Sequence, residues 1–177
     1  MKLIIPLAML IGGLLTSTLA AADCSSNRNV DMTISKPDGI YIDHGDGTVT
    51  DNITGLMWQK CSLGLSGNDC AGGAAKSYSW QDALKAAQNS KESKYRDWRL
   101  PNRIELESLE ETACDFPAIN DTIFPQTPPN FYWSSSRHAK LNNYAWSVYF
   151  DNGYAYKYMQ LGGNYVRLVR NSEPSVQ

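Results

Sequence analysis

The spacing of apolar positions changes period along this chain, and the changes divide it into three stretches. From 40 to 60, short β-rich runs are separated by turn signals. Asp46-Gly47 and Asn52-Ile53-Thr54-Gly55 read as turns, with strands at Thr48-Val49-Thr50 and Leu56-Met57-Trp58-Gln59. The period then lengthens to that of a helix. Trp80, Ala83, Leu84 and Ala87 recur at i, i+3, i+4 and i+7 behind Ser79 as N-cap, with Asp82 three residues on, which predicts a helix over 79–89. A second helix is predicted after Arg99-Leu100-Pro101. Asn102 caps it, Glu105 takes the capping-box position, and Leu106, Leu109 and Ala113 form its buried side.

The stretch 115–130 contains Pro117, Pro125, Pro128 and Pro129 and is predicted as an ordered loop. From Phe131 the period falls to two. Phe131-Tyr132-Trp133 opens a strand, and Trp146, Val148 and Phe150 share one face of the next. Asp151-Asn152-Gly153 is a hairpin turn, and Tyr154, Tyr156 and Tyr158 line one side of the strand that follows. After Gly162-Gly163, residues 165–170 form the last strand. Two consecutive helices between an N-terminal β segment and a C-terminal meander predict an α+β fold, with the helices packed on a mostly antiparallel sheet.

The N-terminus has a different character. Lys2 precedes an apolar run from Leu3 to Leu15, too short to span a hydrocarbon core of about 30 Å comfortably. Ala20 and Ala22 supply an A-x-A cleavage site, with cleavage after Ala20 as the alternative, so 1–22 is expected to be a signal peptide. Asp23 stands before Cys24 where a lipoprotein site wants a small residue. The remainder divides into a polar arm (23–39), a domain (40–171) and a tail (172–177). Export predicts a periplasmic, outer-surface or secreted protein with no stable membrane span after cleavage.

Composition narrows the class. The chain has 177 residues, is 42% hydrophobic and 11% aromatic, and so is neither disordered nor collagen-like. A net charge of -2 gives no basis for binding nucleic acid, and loss of Lys2 makes the mature chain more acidic still. Four cysteines are an even number suited to an oxidising compartment. Three connectivities are open. Cys61 and Cys70 bracket a Gly-rich loop that can close on itself, so Cys61–Cys70 is favoured, leaving Cys24–Cys114 to pin the arm. Such bridges contribute about 2–4 kcal/mol each. A zinc site is the rival, but there is no CxxC and only His44 and His138 are available.

Several strings also occur together in a known order: Asp46-Gly-Thr-Val-Thr-Asp51, Thr54-Gly-Leu-Met-Trp58, Trp80, Asp97-Trp-Arg-Leu-Pro101 with Glu105-Leu106, Ala118-Ile-Asn120 with Phe124-Pro125, Tyr132-Trp-Ser-Ser-Ser136, Tyr144-Ala-Trp146, and Tyr165-Val-Arg-Leu-Val-Arg170. In these the chain resembles the family of bacterial domains found at the C-terminus of the collagen-like adhesin Lcl. The resemblance runs over about 40–170. It implies a C-type-lectin-like fold, two helices flanking a twisted antiparallel sheet with long loops on one side. For function it implies an adhesin-like exported module. The collagen-like stem of Lcl, which assists trimer formation, has no counterpart here, because no G-x-y repeat occurs.

Arg137, His138 and Lys140 cluster in one predicted loop, a basic patch or a solvated loop. Seven of the ten tyrosines lie from Tyr132 onward, and Tyr154, Tyr156 and Tyr158 are a candidate platform for sugar rings or a partner protein. Asp43-His-Gly-Asp-Gly47 has glycines where an EF-hand needs alternate oxygen ligands, so it reads as turn chemistry rather than a metal site. The sugar-binding calcium signatures of C-type lectins are absent, as are a nucleophile elbow, a phosphate loop and any cofactor motif. Ser134-Ser-Ser136 beside His138 is adjacency in sequence, not a triad. Glu105, Glu107, Glu110 and Glu111 are expected on a solvated helix face, and Arg99, Arg167 and Arg170 are expected to pair with carboxylates such as Asp97. The expectation is a non-catalytic recognition module that binds glycan or a surface protein through 137–143 and 151–164. A structural subunit of an envelope assembly is the alternative, and no enzyme, metal or cofactor is expected.

Overall fold

The computed structural model describes Cys24 and residues 27–172. The expected signal peptide (1–22) and all of the tail beyond Ser172 lie outside the described residues. The chain forms β1 (Asn27–Arg28), β2 (Tyr41–Asp43), β3 (Thr48–Asp51), β4 (Leu56–Gln59), β5 (Leu65–Ser66), β6 (Gly72–Gly73), α1 (Trp80–Asn89), α2 (Arg103–Glu107), β7 (Cys114–Asp115), β8 (Phe131–Arg137), β9 (Tyr144–Tyr149), β10 (Ala155–Met159) and β11 (Val169–Asn171). This is an α+β fold whose strands pair antiparallel in every sheet.

Two sheets dominate, one in the order β11-β4-β3-β2 and one in the order β10-β9-β8. The segment 164–171 ties them together. Tyr165 exchanges main-chain hydrogen bonds with Phe131 and Trp133 of β8, while the Leu168 carbonyl accepts from Gln59 N and Val169 pairs with Trp58. A hydrophobic cluster lies on each side of the joined sheets. Tyr132 and Trp133 are adjacent on β8, so their side chains point to opposite faces. Tyr132, Val148 and Phe150 pack with Leu106 of α2, Trp58 and Phe124. Trp133 and Ala145 pack with Trp80, Ala83 and Ala87 of α1, and with Trp98 and Leu100. The helices therefore cover opposite faces.

The predicted caps form. Ser79 Oγ accepts from Asp82 N at 3.2 Å. Asn102 Oδ1 accepts from Glu105 N at 2.9 Å while Glu105 Oε2 accepts from Asn102 N at 2.7 Å, a reciprocal capping box. Trp58, Trp80, Trp98 and Trp133 are all buried. Gly153 closes the hairpin before β10 at φ +83°, where a Cβ would lie 2.5 Å from the Glu110 carboxylate.

The structure corrects five expectations. The second helix ends at Glu107, because Ser108 donates its hydroxyl back to the Glu105 carbonyl at 2.7 Å and the chain turns away. Leu109 and Ala113 are buried all the same, from loop rather than helix. The last strand covers only Val169–Asn171; residues 166–168 are fully buried where the segment crosses between the two sheets, Val166 and Leu168 in the core on the α1 side and Arg167 against Phe124 in the other. On β9, Ala145 and Ser147 are as buried as Val148, so the alternation there separates two cores rather than core from solvent.

Glu111 does not belong to a solvated face. It is fully buried, and its carboxylate accepts from Ser35 N at 3.0 Å, Ser35 Oγ at 3.1 Å, Ala113 N at 2.9 Å and Lys36 N. Arg167 has no carboxylate partner among the described residues. Its guanidinium, fully buried, donates to the Gln59 and Lys60 carbonyls and to Ser62 Oγ and Thr127 Oγ1, and lies 4.8 Å from the centre of the Phe124 ring. The other two arginines do pair, Arg170 with Asp97 at 2.8 Å and Arg99 with Glu105 at 2.7 Å.

Both expected disulfides are present, Cys61–Cys70 and Cys24–Cys114. The second works with Glu111 and the β1–β7 pairing to hold the arm against the body. No helix among the described residues is long and apolar enough to cross a membrane.

Candidate functional site

The sheet β10-β9-β8 carries the residues singled out above. Its register pairs Phe131 with Tyr149, Ser147 with Trp133 and with Tyr156, and Tyr158 with Ala145. Phe131, Trp133, Tyr149, Tyr156 and Tyr158 therefore share a face, and Tyr154 continues it by alternation. Trp133 is covered by α1. Beyond the helix the rings of Phe131 and Tyr149 stack at 4.2 Å, and Tyr156 meets both edge-on. Tyr154 and Tyr156 are 65% and 41% exposed, whereas Tyr158 is half-buried against Phe131 and Trp133. The three predicted tyrosines thus divide into an exposed pair and a packing residue.

The basic cluster also divides. Arg137 is the last residue of β8, with its guanidinium 6.0 Å from the centre of the Trp80 ring on the α1 side. His138 turns to Trp146, ring centres 5.4 Å apart, and the Arg103 guanidinium of α2 lies 4.8 Å from that same indole. His138 Nδ1 accepts from the amides of Lys140 and Leu141, so the 138–141 turn is closed by the imidazole itself. Lys140 is exposed. Three basic residues close in sequence therefore have three different surroundings.

What the fold does bring together is a place between the two predicted loops. The Gln160 amide N–H donates to the Asn143 carbonyl at 2.9 Å, and the Gln160 carbonyl accepts from Trp80 N at 2.8 Å. The turn after β10, the loop before β9 and the start of α1 thereby enclose a cleft of about 490 Å³, lined in part by Gln81, Asn142, Asn143, Met159 and Leu161. Tyr154 stands at the far end of β10, five residues away, about 17 Å along an extended strand. The sequence named both loops that meet at the cleft but none of these side chains, because amides and a lone leucine carry no chemical signature in one dimension.

A family model, that of the Lcl C-terminal domain, matches residues 47–170, more than half of the chain. The chain belongs to the Lcl C-terminal domain family. No curated protein matches it. In this Lcl C-terminal domain the strings that carried the resemblance hold the frame. Asp97 takes Arg170, Trp98 Nε1 donates to the Glu92 carbonyl at 3.0 Å, Arg99 takes Glu105, and the Pro101 carbonyl accepts from Ser135 N at 2.7 Å.

Perturbed titration in the Lcl domain likewise marks its frame. Burial pushes the Tyr132 hydroxyl up to about 12, where it meets Ser62 Oγ at 2.6 Å. Burial raises Tyr41 further and lowers Arg167. These groups are enclosed in the core. The Asp43–Gly47 stretch is a turn: Asp43 accepts from Gly45 N at 2.9 Å and from Lys60 Nζ at 2.6 Å, and Asp46 Oδ1 accepts from Thr48 N at 3.1 Å.

Proposed function

We propose that this Lcl C-terminal domain is an exported recognition module that binds without making or breaking bonds, on a C-type-lectin-like scaffold that presents its C-terminal loops. The observation that carries the reading is the cleft: two loops of irregular sequence converge on one end of a sheet that is otherwise held by two cores, two disulfides and a buried carboxylate. A rigid frame with exposed loops suits selection of a ligand, since little conformational freedom remains to be lost on binding. The one hydroxyl in the lining, that of Ser79, is taken up as the N-cap of α1, accepting from Asp82 N at 3.2 Å and donating to Asp82 Oδ2 at 2.7 Å. The disulfides accord with export.

A glycan array and a cell-surface binding assay on the purified mature protein test the reading. Saturable binding in either supports it, and silence in both overturns it. The exposed Tyr154 and Tyr156, at the free edge of the sheet, favour a second reading as a structural subunit. A light-scattering mass well above the monomer, reduced by Tyr156→Ser, would distinguish it.

A further inference from the structure

We propose that the cleft between the 137–143 loop, the 159–163 turn and the start of α1 takes a neutral, polyhydroxylated sugar chain. This rests on the recognition reading above and narrows it to one ligand class. Gln81, Asn142, Asn143 and Gln160 line the cleft together with Ser79, Met159 and Leu161, and no charged residue is among its lining. An amide offers a donor and an acceptor side by side, whereas a carboxylate only accepts and a lysine or arginine only donates. Two neighbouring hydroxyls of a sugar present the complementary pair.

Gln160 is already positioned. Its Nε2 donates to the Asn142 carbonyl at 3.3 Å and to the Tyr144 carbonyl at 3.2 Å, and its main chain is held by Asn143 and Trp80. Both amide hydrogens are thereby used, and Oε1 remains as an acceptor. Asn142 and Asn143 are exposed, and their side-chain amides make no hydrogen bond among the described residues.

The apolar side of a sugar ring needs a C–H surface. Leu161 is 89% exposed and Met159 47%, both held on the 159–163 turn. An adjoining hollow shares them and is lined also by Tyr144, Lys157 and Tyr158. Gly162 packs on Tyr158, where a Cβ would lie 2.4 Å from the ring, so the turn sits directly on that aromatic floor. A polyanionic chain has less to meet it. No lysine or arginine lines the cleft itself: His138 closes its own turn, the Arg137 guanidinium lies 6.0 Å from the centre of the Trp80 ring, and Lys157 lines only the adjoining hollow.

The test is calorimetric titration of the mature protein with N-acetylchitohexaose, maltohexaose, mannohexaose and heparin. Binding of at least one neutral chain is expected, with affinity changing by less than about twofold between roughly 0.05 and 0.5 M NaCl. Asn142→Ala with Asn143→Ala should weaken it about tenfold or more, the loss of two hydrogen-bonding groups. Leu161→Asp, a change at an exposed site with no packing to lose, should abolish it. No neutral chain bound, or binding indifferent to both variants, overturns the proposal. Heparin binding that falls with salt, or binding to a surface protein alone, overturns it too while the recognition reading stands. Silence toward every glycan and every surface overturns both.

Discussion

Replacing Glu111 by alanine tests how the N-terminal arm is held. Its carboxylate is fully buried and receives four hydrogen bonds, three from main-chain amides and one from the Ser35 hydroxyl. Three donors, Ser35 N, Ser35 Oγ and Ala113 N, converge on Oε1, and Lys36 N alone meets Oε2. Alanine leaves all four donors without an acceptor. Hydrogen bonds to charged groups contribute about 1.5–3 kcal/mol each, but the sum is offset by the cost of burying the charge, so a net loss of about 3–5 kcal/mol is expected. Glutamine can keep its oxygen on the three-donor side and lose only the Lys36 contact, about 1–3 kcal/mol. Urea denaturation measures both. Amide exchange of Ser35, Lys36 and Ala113 gives an independent local readout. Alanine and glutamine variants of equal stability, or an alanine variant within about 0.5 kcal/mol of the parent, would refute the reasoning.

Three other outcomes follow from the same frame. Trp98→Ala removes a buried ring that also donates to the Glu92 carbonyl and meets Tyr95 edge-on at 6.1 Å; a loss of about 3–5 kcal/mol is expected by chemical denaturation. Replacing Cys24 and Cys114 by alanine should lower the melting temperature more than replacing Cys61 and Cys70. The sequence separations are 90 and 9, worth about 4–5 and about 2–3 kcal/mol by loop entropy, and equal shifts would contradict this. Stability should fall on acidification. Arg170 holds the Asp97 carboxyl below the usual range; Asp43 and Glu105 are pushed up by burial but pulled further down by Lys60 and Arg99. Depressed carboxyls contribute stability above their unfolded values and lose it as pH falls through the folded ones, so the midpoint of urea unfolding should drop below about pH 4. Arg99→Ala with Glu105→Gln should reduce that slope.

Much of the frame was legible in one dimension because local chemistry dictates it. The Ser79 and Asn102 caps are short-range: a side chain reaching an amide three residues away needs no other part of the fold. The helical stripe of α1, the 151–153 turn and the ordered motif strings belong to the same class. The Cys61–Cys70 loop is likewise local, and with one pair chosen the other follows.

Tertiary packing decided the rest. Period two at 144–150 marks which residues share a face, but it cannot say that both faces are buried; that required α1 and α2 to land on opposite sides of one sheet. Glu111 reads as one more acidic residue in a charged run until the arm folds back and delivers two amides and a hydroxyl to it. Arg167 becomes buried without a carboxylate because four oxygens from 59, 60, 62 and 127 converge there, across separations of 40 to 108 residues. Arg137, His138 and Lys140, neighbours along the chain, were separated by the strand end and the turn. Asn142, Gln160 and Gln81, distant along it, were brought together. Sequence determined what each short segment prefers, because those preferences are energies between near neighbours. Which segments meet, and so where the protein presents a site, was settled only by contacts that no local preference encodes.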